Sequence, residues 1–337
     1  MRFAPALALA ALTSLAAPLA ARANDTPGPT TLEGIQPALP TCPDIGPKSA
    51  IKVYELPAQR FQIQLGAPQV QRRYTAYAVS FPSPVQKRWP TIYGNFFMPN
   101  DVPAGQRVPA AVVVHHLGGS FEAEEVLAKH LATNGVAAVF ISLPNYGKRQ
   151  EPKTKQGFLS KDPIMAFQTF QQAVLDVIRA GDFLRAQPGV DPGRVGVVGV
   201  SLGAFVSAVA RGVDVRFRRS VFVLGGGDLA NMFAEIPEAR NLLEHTGIKA
   251  EEIRPVLGPL VAPVDPLTFA DRINPADVLM LNALQDEIVP VRATQRFWRA
   301  LGKPRIRWFD CGHYGLALHL PTVFNLALDH LKGRSAF

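Results

Sequence analysis

The sequence has 337 residues, of which 47% are hydrophobic and 18% charged, and its formal net charge is +8. This composition is typical of a folded globular protein and excludes a disordered or fibrous chain. The positive charge is dispersed. Its densest clusters, at 86–88 and 216–219, are interrupted by apolar residues and fit the solvated rim of a sheet, with weak attraction to anionic surfaces as the alternative. We therefore expect no nucleic-acid module.

The first 23 residues have the pattern of an export signal. A short basic start, Met1-Arg2, precedes a run of alanine, leucine and proline, and Ala21-Arg22-Ala23 is the small-x-small pattern that signal peptidase recognises. The alternative, a transmembrane anchor, needs about 20 residues that are more strongly apolar than these, and Pro18 interrupts this run. We predict a signal peptide over 1–23, a periplasmic or secreted protein, and no stable membrane span.

Residues 24–69 are predicted to form a Pro-rich arm that precedes the main domain. The prolines of this stretch argue against a regular helix. The arm contains Cys42, one of two cysteines, and the other is Cys311. Because an even cysteine count in an exported protein is compatible with a disulfide, a Cys42–Cys311 bond and two separate thiols are both open.

Strands and helices alternate over 70–337, which we interpret as one domain. Apolar and β-branched runs predict strands at 74–81, 91–99, 108–116, 136–144, 194–200, 220–226, 278–284 and 305–310. Helical spacing predicts helices at about 121–134, 162–188, 201–212, 293–301 and 319–332, the second of them starting with Asp162 as N-cap. The first two strands are expected to pair antiparallel. Strands separated by helices predict an α/β fold with a mostly parallel, twisted sheet and helices on both faces.

The stretch 226–276 interrupts this alternation. It is rich in proline and glycine and is much longer than the few residues that usually connect core elements. We predict a cap insertion over the C-terminal edge of the sheet, not a second domain. Its apolar residues either line a binding site or pack the cap onto the core; they are Phe233, Leu242, Leu243, Leu257, Leu260 and Phe269.

The segment Gly199-Val200-Ser201-Leu202-Gly203 joins a predicted strand to a predicted helix. The G-x-S-x-G pattern is weak by itself, but the strand before it, the helix after it and the small residues around the serine are the context of a nucleophile elbow. We therefore predict that Ser201 is a nucleophile raised above the sheet edge. The Leu202 N–H, at the helix N-terminus, would face developing negative charge.

A serine hydroxyl needs a base, and His313 is the best candidate among seven histidines. It follows the last core strand in a Gly-flanked loop that can reach back across the sheet edge. Asp286, directly after the strand 278–284, is predicted to orient the imidazole, with Glu287 and Asp310 as alternatives. The chain order Ser, Asp, His agrees with the inferred fold.

An oxyanion hole needs a second backbone donor besides Leu202. The segment HHLGGS, residues 115–120, ends a core strand, and its glycines allow close approach of substrate, so we predict the Leu117 N–H. The adjacent His115 and His116 point to opposite faces of an extended strand and cannot readily share one ion. We therefore expect no metal site and no cofactor.

Four segments, PAAVVVHHLGGS, GRVGVVGVSLGA, LNALQDEIVP and DCGHYG, together resemble the α/β-hydrolase superfamily. The resemblance covers about residues 70–333 and is greatest to the bacterial acetyl-xylan-esterase and dienelactone-hydrolase-like serine esterases. It implies an α/β-hydrolase fold with a Ser201–His313–Asp286 triad and acyl-enzyme chemistry. His115-His116 replaces the usual His-Gly pair. Serine stands where dienelactone hydrolases carry cysteine, which favours ester hydrolysis.

The expected function is that of an exported serine esterase acting on a small or carbohydrate-linked ester. One alternative is a serine peptidase or amidase of the prolyl-peptidase-like type, although such proteins usually carry a large additional domain. Another is a non-catalytic binding protein on the same fold, which a complete set of triad residues argues against. The sequence does not indicate an oligomeric state.

Overall fold

The computed structural model describes residues 28–41, 48–85, 88–150, 158, 160, 162–235 and 252–334. Its strands are β1 (Thr30–Gln36), β2 (Gln59–Leu65), β3 (Gln69–Val70), β4 (Tyr74–Pro82), β5 (Thr91–Pro99), β6 (Val108–Val114), β7 (Ala137–Ile141), β8 (Val190–Val200), β9 (Ser220–Val223), β10 (Val278–Ala283) and β11 (Arg305–Phe309). Its α-helices are α1 (Lys48–Lys52), α2 (Glu122–Thr133), α3 (Pro163–Arg185), α4 (Leu202–Val213), α5 (Leu229–Glu235), α6 (Ile253–Val261), α7 (Val291–Ala300) and α8 (Leu320–Lys332).

The strands form one mixed sheet in the order β1-β2-β4-β5-β7-β6-β8-β9-β10-β11, with β3 beside β4. The run from β7 through β6 and β8 to β11 is parallel. The strands before it pair antiparallel, including the predicted pair β4 and β5. Every strand predicted from residue 74 onward is present within a few residues of its predicted ends, and the predicted α/β fold is confirmed.

The arm contributes strands that the sequence analysis did not predict. β1 pairs with β2, and β2 continues the sheet beyond β4. In β2, Phe61, Ile63 and Leu65 are buried and alternate with exposed polar residues, as expected for a strand with one face on the core. Cys42 lies outside the described residues and Cys311 carries a free thiol, so the disulfide stays a prediction.

Helices cover both faces of the sheet. α3 and α4 pack on one face in a hydrophobic cluster that includes Val174 and Val206. α2 and α8 pack on the other face in a second cluster that includes Leu127 and Val323. α3 begins as predicted, because the Asp162 carboxylate accepts hydrogen bonds from the first turn of the helix. Among the described helices, none combines the length and apolar character needed to cross a bilayer.

The described parts of 226–276 form α5, α6 and three short 3₁₀ turns. The two ends of this insertion are tied together by Asp265, whose carboxylate accepts the N–H groups of Asp228 at 2.9 Å and Leu229 at 2.8 Å. Phe269 is fully buried with its ring edge-on to Tyr54, so it packs the insertion onto the core. Residues 236–251, including Leu242 and Leu243, lie outside the described residues.

Candidate active site

Ser201 occupies a strained turn between β8 and α4. Its φ of +52° lies in a region that residues other than glycine rarely adopt. Its N–H donates to the Val223 carbonyl at 2.8 Å, which fixes the turn against β9. Because α4 begins at Leu202, the positive end of the helix dipole lies beside the serine hydroxyl.

The two glycines of the motif are required by close backbone contacts. A Cβ atom on Gly199 would overlap the Gly203 carbonyl oxygen. A Cβ atom on Gly203 would overlap the carbonyl oxygen of Val114 and would lie 2.7 Å from that of His115. The start of α4 therefore packs directly against the C-terminal end of β6, and this contact sets the position of Ser201.

We expect Gly203→Ala to lower the free energy of unfolding by about 1–3 kcal/mol, because the added methyl group meets backbone atoms that move only if β6 or α4 shifts. Urea unfolding followed by circular dichroism measures the change. Gly119→Ala is the matched control, since a Cβ atom there meets nothing within 4 Å. Equal unfolding midpoints for the two variants would contradict the assigned contact.

The structure brings Ser201, His313 and Asp286 into one hydrogen-bonded chain. His313 Nε2 lies 3.1 Å from Ser201 Oγ. His313 Nδ1 lies 2.8 Å from Asp286 Oδ1 and 2.9 Å from Oδ2. All three side chains are buried, and their loops follow β8, β11 and β10 at the same edge of the sheet. Chemically, this arrangement can move a proton from the hydroxyl to the imidazole.

The three candidate carboxylates have different partners. Asp286 contacts the imidazole ring and is itself held by the backbone N–H groups of Ile288 and Val289, 2.9 Å and 2.7 Å from Oδ1. Glu287, one of the alternatives, instead accepts the backbone N–H of His313 at 3.0 Å. Asp310 accepts the side-chain amide of Gln285. Glu287 thus anchors the histidine loop, a role that sequence reasoning missed.

The two predicted oxyanion donors belong to the same cavity as the serine. Leu117 and Leu202 both line it together with Ser201 and His313. The contact of Gly203 with the end of β6 brings the loop at residues 115–118 beside the start of α4. Stabilisation of an oxyanion by the two N–H groups stays a prediction.

His115 is a neutral residue that joins two strand ends. Its Nε2 accepts the Leu143 N–H at 3.1 Å, and its Nδ1 therefore carries the proton and donates to the His116 carbonyl at 2.7 Å. Burial lowers the pKa of His115 to about 4. Both ring nitrogens are thus in use, and the described residues contain no group of three side chains that could hold a metal ion.

His116, whose side chain is 34% exposed, pairs with the buried Glu124 in the first turn of α2, a contact that was not predicted from the sequence. Oε1 of Glu124 lies 2.6 Å from His116 Nδ1 and also accepts the His116 N–H at 3.1 Å. The hydrogen bond that His116 donates to the Glu124 carboxylate raises the pKa of His116. Burial raises the pKa of Glu124, but the bonds and charge of His116 outweigh it and leave that pKa lowered. The pair holds the loop that carries Leu117.

We expect Glu124→Gln to destabilise the protein by about 1–3 kcal/mol, most strongly at mildly acidic pH. Because the pKa of His116 is raised, its contribution is complete below 6.5 and is lost as the pH rises through the raised value. Because the pKa of Glu124 is lowered, its contribution is complete above 4.5 and is lost as the pH falls through the lowered value. The melting temperature should therefore differ most from wild type between pH 4.5 and 6.5.

Calorimetry from about pH 3.5 to pH 9 checks this prediction. The control is Glu125→Gln on the same helix, because Glu125 pairs with Lys129 at the surface and such pairs contribute only a few tenths of a kcal/mol. A melting-temperature difference that does not change with pH would show that the Glu124 variant acts through packing rather than through charge.

A cavity of about 1270 Å³ lies above Ser201 and His313, and its described lining is mainly apolar. Of the predicted cap residues, Leu257 and Leu260 line this cavity. Phe269 packs the insertion instead, and nothing is described of the side chains of Phe233, Leu242 and Leu243. Residues of α3 and α8 also line the cavity, a contribution that was not predicted from the sequence.

Solved structures with this fold include several esterases. An acetyl xylan esterase from Paenibacillus sp. R4 superposes with a TM-score of 0.64 and 23% identity, covering 82% of this chain and 89% of that chain. Acetyl Xylan Esterase 1 from Thermoanaerobacterium sp. JW/SL YS485 gives a TM-score of 0.58 and 21% identity over 81% and 88% of the two chains. The Pyrococcus horikoshii acylaminoacyl peptidase gives a TM-score of 0.57 at 17% identity over 80% of this chain but 48% of that chain.

The relatives found by sequence match a shorter part of this chain. An uncharacterized protein of Mycobacterium tuberculosis is 22% identical over 194 residues, which are 56% of this chain and 44% of that protein. The chain thus spans less than half the length of this relative. A family model described as alpha/beta hydrolase family matches residues 111–325, which include Ser201, Asp286 and His313. The predicted fold and resemblance are confirmed, and the chain belongs to the alpha/beta hydrolase family.

Proposed function

We propose that this protein is a serine carboxylic-ester hydrolase whose catalytic triad is Ser201, His313 and Asp286. The observation that carries the proposal is the chain of hydrogen bonds from Ser201 Oγ through the His313 ring to Asp286, with distances of 3.1 Å and 2.8 Å. The chain ends at the serine of a strained turn beneath a large cavity. A hydroxyl, a base and an orienting carboxylate in this order are the requirements for acyl transfer.

In the first half-reaction, Ser201 Oγ forms a bond to the ester carbonyl carbon while its proton moves to His313 Nε2. The carbonyl oxygen becomes an oxyanion, which the N–H groups of Leu117 and Leu202 stabilise. The carbon–oxygen bond to the alcohol then breaks, and His313 gives its proton to the departing alcohol. Asp286 holds the His313 ring in the tautomer that carries the ring proton on Nδ1, so that Nε2 is free to accept the proton of Ser201.

In the second half-reaction, water attacks the acyl-enzyme carbonyl and gives a proton to His313. The bond to Oγ breaks, Ser201 recovers the proton from His313, and the carboxylic acid leaves. Every step uses residues of this chain, and no cofactor takes part. The acidic product and the alcohol both leave through the cavity, which is large compared with an acetyl group.

The test is covalent labelling with a fluorophosphonate, together with hydrolysis of p-nitrophenyl butyrate. We expect one label per chain, on the peptide that contains Ser201, and loss of esterase activity in proportion to labelling. Ser142→Ala is the control, because Ser142 follows β7 at the same sheet edge but does not line the described cavity. Unchanged activity after complete labelling elsewhere in the chain would overturn the proposal.

The names of the structural neighbours make a small or carbohydrate-linked ester one candidate substrate class, since two of them are acetyl xylan esterases. A peptidase activity is the alternative, because a third neighbour is named acylaminoacyl peptidase. That peptidase is about twice as long as the segment shared with this chain. Faster hydrolysis of an acyl-peptide amide than of the matching ester would favour the alternative, and absence of both labelling and hydrolysis would favour a binding protein.

We also propose that the protein is exported to the periplasm or beyond, on the basis of the signal pattern at residues 1–23. Expression of the full chain in a Gram-negative bacterium should yield a periplasmic protein whose first residue is Asn24. Fractionation and N-terminal mass spectrometry measure both features. Retention of residues 1–23 on a cytoplasmic protein would be evidence against export.

A further inference from the structure

The cavity above Ser201 receives apolar side chains from both faces of the sheet. From the cluster under α3 and α4 it receives Phe170, Phe205 and Val264. From the cluster under α2 and α8 it receives Leu127, Leu316, Val323 and Phe324. Because Ser201 lies at the sheet edge between these clusters, an ester bound to it has an apolar surface on either side of its carbonyl group.

Most polar side chains of the described lining already have a hydrogen-bond partner in the protein. Glu124 is bonded to His116, Ser201 is bonded to His313, and Glu287 accepts the backbone N–H of His313. A buried sugar hydroxyl without a hydrogen-bond partner weakens binding by about 5- to 150-fold, and a sugar carries several hydroxyls. The described lining therefore does not suit a carbohydrate.

Large hydrophobic side chains also surround the opening of the cavity. Ile164, Leu260 and Tyr314 line the cavity and are 69%, 67% and 73% exposed, and Leu117 and Ile288 are about half exposed. Exposed apolar residues gathered at one place are a feature of interaction sites, including grooves that bind apolar ligands. The apolar lining thus continues from the interior of the cavity to the protein surface.

Resting on the esterase function proposed above, we propose that the substrate is an ester with apolar groups on both sides of the carbonyl, a medium- or long-chain acyl group joined to an apolar alcohol, and not an acetylated sugar. The cavity volume of about 1270 Å³ exceeds the range of about 300–1,000 Å³ that is common for ligand sites. An acetyl group would leave most of the apolar surface in contact with water. A longer chain on each side would cover it.

The first test compares p-nitrophenyl acetate, butyrate and octanoate with acetylated xylose. Since each buried methylene contributes about 0.8 kcal/mol, kcat/KM should rise at least about 100-fold from acetate to octanoate. The sugar acetate should be a poorer substrate than p-nitrophenyl acetate. If acetate is the best ester and acetylated xylose is cleaved as fast, the substrate class is wrong while the esterase function stands. If the fluorophosphonate also fails to label Ser201, the esterase function fails as well.

The second test narrows each side of the cavity separately with Val261→Trp and Ala317→Trp. Val261 packs against the cluster under α3 and α4, and Ala317 follows Leu316 of the cluster under α2 and α8. Both line the cavity, and Val261 is partly exposed and Ala317 exposed, so the larger ring does not have to enter the core. One variant should lose at least about 10-fold in kcat/KM on long acyl chains. The other should lose as much on butyrate esters of long alcohols. Leu318→Trp, beside Ala317 but outside the described lining, is the control and should behave as wild type.

Each outcome of the second test is informative. If the two variants lose kcat/KM on different ester series, the result supports one apolar subsite on each side of the carbonyl. Loss on the same series by both, or on neither, would overturn the assignment of two subsites. Stoichiometric labelling of Ser201 by the fluorophosphonate in both variants, with an unchanged circular dichroism spectrum, shows that the nucleophile and the fold are intact, so such a result does not come from a damaged active site.

Discussion

Replacing Ser201 with alanine is expected to lower kcat for p-nitrophenyl butyrate by about 10⁵- to 10⁶-fold. The acyl-enzyme requires a bond from Oγ to the carbonyl carbon, and no other hydroxyl is bonded to His313 in the described residues. KM should change little, because the apolar lining that binds the ester is untouched. Steady-state kinetics with purified protein measures both constants, and circular dichroism checks that the fold is kept.

The same prediction extends to the base. His313→Ala should lose about as much activity as Ser201→Ala, and the double variant should lose no more than either single variant. Three residues that transfer one proton act as a unit, so removing one member already removes most of the effect of the others. Multiplication of the two losses in the double variant would mean that Ser201 and His313 act independently, and would contradict the proposed triad.

Much of this site could be predicted from the sequence because it depends on local patterns. The G-x-S-x-G motif, the strand before it and the helix after it are contiguous, so the prediction of each one supports the prediction of the other two. Asp286 and His313 could be located because both directly follow buried strands. The carboxyl ends of parallel strands lie at one edge of a sheet, so residues far apart in the chain were expected to meet there. The structure brings them together as expected.

Other parts of the site depend on contacts that the sequence pattern does not reveal. Glu124 and His116 are only eight residues apart, but nothing in the helix pattern distinguishes a glutamate that turns back to a loop from one that faces solvent. The apolar lining is a second example. Phe170 and Val323 have the helical spacing of core residues, and an apolar side chain at such a position either packs against a neighbour or faces a cavity.

The strands of the arm show how one strong signal can obscure another. Proline-rich sequence before residue 48 indicated an irregular arm, while the alternation of polar and apolar residues in β2 is a clear strand pattern. β1 adds to the sheet by pairing with β2, a contact between segments on both sides of the prolines. Pairing partners of edge strands are set by such long-range contacts, which local patterns do not specify.

The second large effect is expected for Asp286→Asn, which should lower kcat by about 10³- to 10⁴-fold while the fold is kept. The oxygen at the Oδ1 position accepts the N–H groups of Ile288 and Val289, so the amide oxygen must take this position. The amide nitrogen then takes the position of Oδ2, 2.9 Å from His313 Nδ1. The amide N–H donates a hydrogen bond to Nδ1, which can accept it only when the ring proton is on Nε2. A protonated Nε2 cannot accept the Ser201 proton.

Glu287→Gln is the matched control for this variant. Its carboxylate lies equally close to His313 but accepts the backbone N–H rather than contacting the ring. A glutamine oxygen can accept that same hydrogen bond, so we expect less than about a 10-fold loss of kcat. We expect the Nδ1 proton of His313 to give a downfield NMR resonance in wild type. This resonance should persist in Glu287→Gln and disappear in Asp286→Asn.

The two variants separate orientation of the ring from simple electrostatic support. Both remove one negative charge from the loop that precedes α7, and both leave a side chain of nearly the same shape. If the charge alone mattered, the losses would be similar, and added salt would reduce the difference from wild type in both. A loss confined to Asp286→Asn, together with loss of the Nδ1 proton signal, would mean that this carboxylate acts by fixing the tautomer. The backbone bonds to Oδ1 make that outcome the expected one, because they leave the asparagine amide a single satisfied orientation.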